Sequence, residues 1–164
     1  MSREIVIQPI TALAFAPFGD LIDCTGAADK IINQGQCGRY HDRAGLDFGD
    51  GHAGLSLFDA NPRALPLTLD MVERHPEGSQ AFVPMSQHPF LVIVAPDDGG
   101  VPGTPLAFRT EPGQAVNYHR GTWHGVLTPL HAPGLFAVLD RIGVGDNLQE
   151  HWFTHPYRIV GPAS

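Results

Sequence analysis

Two short stretches concentrate the side chains able to do acid–base and metal chemistry. The first, ERHPEGSQAFVPM from Glu73 to Met85, holds Glu73, His75, Glu77 and Gln80; the second, PGQAVNYHRGTWHGVLTPL from Pro112 to Leu130, holds Tyr118, His119 and His124. The chain has nine histidines in 164 residues, and imidazole is the side chain that changes charge near neutrality and ligates metals most often. Each stretch reads as a hairpin: a strand-like run ends at His75 or His119, turns through Pro76–Gly78 or Arg120–Thr122, and restarts at Gln80 or Trp123. Strand alternation puts Leu67, Leu69, Met71, Glu73 and His75 on one face. An apolar face then ends in an acid and an imidazole. Burial beside Met71 and Leu69 raises a carboxyl pKa, which would make Glu73 a proton acceptor near neutral pH; an ion pair with a neighbouring Arg is the structural alternative. Of Tyr118 and His119, alternation lets only one face inward unless a bulge intervenes.

The elements that must carry these groups are short strands. Gly 19 and Pro 15 together supply about one residue in five, high for a helical protein and spread too evenly for disorder. Strands are expected at Ile5–Ile7, Leu55–Phe58, Leu67–His75, Gln80–Met85, Phe90–Ala95, Leu106–Thr110, Ala115–His119, Gly125–Leu127 and Leu135–Ile142. One helical turn fits Thr11–Phe15 before Pro17 and Gly19, and GLDFGDGHAG, Gly45 to Gly54, reads as an exposed turn. The bracket of Pro66 and Pro76 leaves nine residues between them, which favours strand over helix for Leu67–His75. The apolar run Phe90–Pro96 reads as a buried central strand, and the tail after Pro156 as a terminal arm. Eight short strands from Leu55 onward imply a sandwich or barrel, and the length suits one domain over residues 1–164.

Composition narrows the function. A formal charge of −7 repels nucleic acid and anionic membrane at long range. Nine of the ten basic residues are Arg, which suits planar carboxylate recognition. Cys24 and Cys37 form no CxxC pair and read as packing residues of a reduced, cytoplasmic chain. The N-terminus shows no signal-peptide core.

The two hairpins resemble the two motifs of the cupin superfamily. Gly121-Thr122-Trp123-His124 is similar to the second motif, while His75-Pro76-Glu77 and Gln80 match the first in part, with Glu77 where a second His would stand and Gln80 in place of an acid. A closer resemblance is to the ureidoglycolate lyase family. It is carried by FGD (Phe18–Asp20), GRYHD (Gly38–Asp42), LPLTLDMVERHPEGSQAFVPM (Leu65–Met85), VNYHRGTWH (Val116–His124) and LDRIGVGDNLQEH (Leu139–His151).

This resemblance implies an all-β, cupin-like double-stranded β-helix, or jelly-roll barrel, with a few short helical turns. It further implies a homodimer and a lyase that splits ureidoglycolate into glyoxylate and urea in allantoin breakdown. Such a collapse needs a base for the hydroxyl proton, an acid for the leaving nitrogen and a positive site for the carboxylate. Glu73, Tyr118 and His119 are the candidates for proton transfer. A divalent cation, nickel by the resemblance, would be held by His75, Gln80 and His124 with Glu77 as a fourth ligand; the alternative is a metal-free pocket in which the imidazoles and Gln80 bond the substrate directly. Asn33, Arg39, Tyr40 and His41 precede the barrel and could close over its mouth, with Arg39 on the carboxylate. Arg141, at the end of the strand LFAVLD, is a further candidate to reach the substrate. A binding module without turnover, an amidohydrolase releasing ammonia, or a metal-dependent oxygenase or isomerase are the rival functions on the same fold.

Overall fold

The computed structural model describes residues 3–162. The first half of the chain forms β1 (Arg3–Val6), β2 (Gln8–Pro9), α1 (Ala12–Phe15), β3 (Gly19–Ile22), β4 (Lys30–Ile32), β5 (Cys37–Arg39), β6 (His52–Asp59), β7 (Leu67–Arg74) and β8 (Gln80–Pro84). The second half forms β9 (Phe90–Ala95), β10 (Asp97–Asp98), β11 (Val101–Pro102), β12 (Leu106–Arg109), β13 (Ala115–Tyr118), β14 (Trp123–His124), β15 (Thr128–Pro129), β16 (Leu135–Ile142) and β17 (Gln149–Val160). Two sheets result. The larger runs β1-β17-β7-β14-β9-β12-β2, with β15 also on β9; the smaller runs β3-β13-β8-β16-β6. Together they make a β-sandwich nearly closed into a barrel, as the turn-rich composition implied, in the cupin-like form that the resemblance implied.

The core between the sheets follows from alternation. Phe90, Val92 and Val94 of β9 join Phe82, Val116, Tyr118, Phe136 and Val138 from the smaller sheet, with Phe15 of α1 plugging one end. Leu91, Ile93 and Ala95 join Trp123, Tyr157 and Ile159 in a second cluster on the opposite face. A strand buried on both faces reads as an unbroken apolar run, which is why the Phe90–Ala95 segment looked central and is. The turn at Thr11–Phe15 is also present: Thr11 Oγ1 accepts from the Ala14 N–H at 3.1 Å and caps α1.

Five expectations need correction. The tail after Pro156 is the end of the twelve-residue β17, which pairs with both β1 and β7. Gly125–Leu127 is not a strand; the pairing falls two residues earlier, at Trp123–His124, and the Gly125 N–H donates to Ile93 O at 2.8 Å as the chain leaves the sheet. The Gly45–Gly54 turn ends sooner, because β6 starts at His52. Leu69 and Val72, three residues apart, share one cluster, so alternation breaks between them where the pairing to β17 shifts register. Leu67 and Leu69 therefore pack on the face away from Glu73, whose partner His124 is inward. Cys24 and Cys37 are free thiols, and Cys24 is exposed rather than packed.

Candidate active site at the barrel mouth

Strand register builds the site at one end of the barrel. His124 closes β14 and sits opposite Glu73 of β7 on one side and Val94 of β9 on the other. Val94 faces the core, so His124 and Glu73 do too. In the smaller sheet, Tyr118 ends β13 opposite Gln80, the first residue of β8, and Gln80 lies opposite Asp140 of β16. The two rows meet where the Tyr118 ring stacks on the His124 ring, 4.3 Å between centroids and 4° from parallel. His75 follows β7 directly, and its ring lies 5.3 Å from that of His124. Gly121, at φ +76°, closes the turn after His119, and its N–H donates to His75 O at 2.9 Å. That left-handed conformation suits glycine best, so the GTWH turn ties one motif to the other.

Glu73, His75 and His124 each offer a ligand atom, and these atoms lie within 4.8 Å of one another. Both imidazoles have a fixed hydrogen-bonding role. His75 Nδ1 lies 2.7 Å from Asn147 O, and His124 Nδ1 lies 2.9 Å from Gly125 O. A carbonyl can only accept, so each Nδ1 carries a proton, which in the neutral ring leaves Nε2 its lone pair. Both Nε2 atoms are buried and have no partner among the described residues. Two orphaned imidazole nitrogens beside a carboxylate are a donor set that fits a divalent cation.

Burial sets the protonation states. His124 is pushed down to about 3, first by loss of hydration and then by His75, and so stays neutral. The Glu73 carboxyl is raised, chiefly by burial; His75 works against the rise and Glu150, paired directly across from it on β17, adds to it. Tyr118 is raised by burial and by Glu73, which keeps its hydroxyl protonated.

The other sequence candidates go elsewhere. Glu77 acts through its backbone: its N–H donates to Asn147 Oδ1 at 2.8 Å and its carbonyl accepts from Arg120, while its carboxylate is not part of the Glu73–His75–His124 cluster. His119 follows the inward Tyr118 and faces out, where Nε2 lies 3.1 Å from Asp20 Oδ1. Asp20 is held below the usual carboxylate value: burial raises it, but bonds from Asn117, Gly45 and His119 outweigh that. Asn33, Arg39 and His41 are exposed on or beside the β4–β5 hairpin, which pairs with neither large sheet. The chain beyond it lies along the outside of the smaller sheet, where Tyr40, Asp42 and Arg43 line a cleft with Val83 and Ala115. Arg141 alternates with the inward Asp140 and turns away; its buried guanidinium bonds Asp50 Oδ1 at 2.6 Å and Val144 O at 3.1 Å, latching two loops together.

Three contributors were not singled out as site residues from the sequence: Asn147, Glu150 and Asp140. Only the last was traceable, two positions after the core residue Val138 on an alternating strand. Asn147 matters through both its polar atoms, since its side chain pins the loop to Glu77 while its carbonyl sets the His75 tautomer. Asn147→Ala keeps that carbonyl but removes the side-chain acceptor that holds the loop to Glu77, so the carbonyl should drift from His75. Activity should fall by up to roughly 10- to 100-fold, the range for disturbing an outer partner of a ligating histidine, with mixed His75 tautomers in ¹⁵N spectra. Asn147→Asp, which keeps the acceptor, should retain one tautomer; an unchanged spectrum for the alanine variant would remove Asn147 from this role.

The comparisons agree with the geometry. A family model described as Ureidoglycolate lyase matches residues 2–160. A relative named ureidoglycolate lyase from Rhodobacter capsulatus is 59% identical over 160 residues, covering 97% of this chain and 99% of its own. One of the same name from Chelativorans sp. is 52% identical, covering 98% of each chain. A third from Rhizobium meliloti, named ureidoglycolate lyase 2, is 52% identical over 93% of this chain and 95% of its own. With the motif residues converged at one barrel mouth and the match running end to end, the chain belongs to the ureidoglycolate lyase family.

Proposed function

We propose that this chain cleaves ureidoglycolate to glyoxylate and urea in purine-nitrogen breakdown, and that Glu73, His75 and His124 form its reacting centre. The observation that carries this reading is the proximity of one half-buried carboxyl to two buried, unpartnered imidazole Nε2 atoms. The substrate carries a hydroxyl, a ureido nitrogen and a carboxylate on one carbon. As the hydroxyl proton leaves, the C–O bond becomes the carbonyl of glyoxylate, the C–N bond breaks, and the nitrogen takes up a proton to complete urea. No water enters. Glu73 is suited to accept the hydroxyl proton because burial has raised its pKa toward the working range. Tyr118, held protonated and stacked against His124, is suited to donate toward the leaving nitrogen.

A divalent cation, nickel by likeness to the family, would be held by His75 Nε2, His124 Nε2 and Glu73. When bound it would polarise the hydroxyl and neutralise the substrate carboxylate. A carboxylate has two oxygens, so ligation through one leaves the other able to accept a proton. The reading also includes a cytoplasmic homodimer; Leu55 and Leu57, exposed on the edge strand β6, offer a second copy an apolar surface, and the mass of the protein in solution checks it.

The test is a product balance. Purified protein with racemic ureidoglycolate should release urea equal to glyoxylate and no ammonia, with activity lost to a chelator and restored by nickel or manganese. Ammonia in quantity would replace the lyase with an amidohydrolase, and no product would leave a binding module. Activity that survives chelation would assign the three groups to direct hydrogen bonding of the substrate.

A further inference from the structure

We propose that Gln80, aimed by Asp140, recognises the ureido end of the substrate by accepting a hydrogen bond from its terminal amino group; this rests on the lyase reading above. Gln80 is 5% exposed and sits between Tyr118 and Asp140 in the inward row of the smaller sheet. Its Nε2 donates to Asp140 Oδ2 at 3.1 Å. A carboxylate offers no proton, so turning the amide over would set two oxygens against each other. Asp140 therefore fixes which way the amide points. Gln80 Oε1 is left buried and without a donor, and buried oxygens in that condition mark places where something outside the chain completes the pairing.

No described residue donates to Gln80 Oε1. The His75 and His124 Nδ1 protons are already committed to Asn147 and Gly125 carbonyls. Of the substrate's groups, the hydroxyl and carboxylate belong at the Glu73–His75–His124 cluster. What remains is the planar ureido group, whose terminal nitrogen carries two N–H donors. Tyr118 links the two regions, because it pairs across the sheet with Gln80 and stacks on His124. A molecule with its reacting carbon at the cluster then extends its amino end toward Gln80. Sites built to hydrogen-bond a polar substrate group reject analogues that lack it, because the buried partner stays unpaired.

The probe is N-acetyl-α-hydroxyglycine, which keeps the hydroxyl, carboxylate and carbonyl and carries methyl where the ureido amino group stands. Glyoxylate release is measured from both compounds with the wild type, Gln80→Met and Asp140→Asn. The wild type should favour ureidoglycolate by at least about tenfold in kcat/KM. Gln80→Met should cost ureidoglycolate about tenfold more than it costs the acetyl compound, and Asp140→Asn should narrow the preference because its amide lets Gln80 turn over. Asp140 is only half-buried, so that variant still decides the matter if Gln80→Met folds poorly. A preference unchanged in folded variants would overturn the assignment while leaving the lyase reading in place. A wild type that releases no glyoxylate from ureidoglycolate would remove both.

Discussion

Glu73→Gln should lower kcat by roughly 10²- to 10⁴-fold, the range a positioned proton acceptor contributes, while the protein stays folded. Glutamine matches the shape of glutamate, so the loss would not come from repacking. The stability of the variant is as informative as its rate. Because the folded-state pKa of Glu73 is raised, the group favours the fold below its unfolded value and loses that contribution as pH rises through the raised value. At neutral pH the wild type thus holds a carboxyl that its surroundings disfavour, and glutamine removes that cost. The variant should melt at or above the wild-type temperature while turning over far more slowly. Rates within threefold of wild type, or a melting point many degrees lower, would show that Glu73 serves the fold instead of the reaction.

His124→Gln should lower turnover by at least about tenfold, in line with the loss of a metal-ligating or substrate-bonding imidazole. It should also change the acid response of the metal-free protein. His124 is fully buried and its folded-state pKa lies at about 3 against an ordinary 6.5, so the unfolded chain binds the extra proton between those values. Its contribution is present above pH 6.5 and is lost as pH falls toward 3. Between pH 6.5 and 4.5 the wild type should lose about 2 kcal/mol from this group alone, partly offset by Glu73, which works in the opposite direction. Urea unfolding at the two pH values measures it. A glutamine variant with the same pH dependence as wild type would show that His124 titrates freely and is not held neutral in the core.

Much of this site was legible in the sequence because it depends on local pattern. Two hairpins, each ending beside a histidine, fixed where the imidazoles would emerge, and alternation placed Glu73 and one of Tyr118 and His119 inward. Choosing Tyr118 needed the core: it packs among Phe82 and Phe15, while His119 crosses the end of β13 to meet Asp20. The break in alternation at Asp70–Met71 was not visible, because it answers a register shift in β17, some eighty residues away. Asn33, Arg39 and His41 were read as closing over the mouth from their position before the barrel, and no periodicity reports that the segment after their hairpin lies along the outside of the smaller sheet. Asn147 was silent for a related reason. Its carbonyl does the positioning, and any residue has a carbonyl.

A crystal structure of the chain with oxalurate measures the central claim most directly, since that inert analogue carries a second carbonyl where ureidoglycolate has its hydroxyl-bearing carbon. The expected result is the keto-acid end lying against Glu73, His75 Nε2 and His124 Nε2. Density seated instead outside the barrel, for example in the cleft lined by Phe18, Asp97, Arg120 and Trp123, with the three-residue cluster untouched, would contradict it.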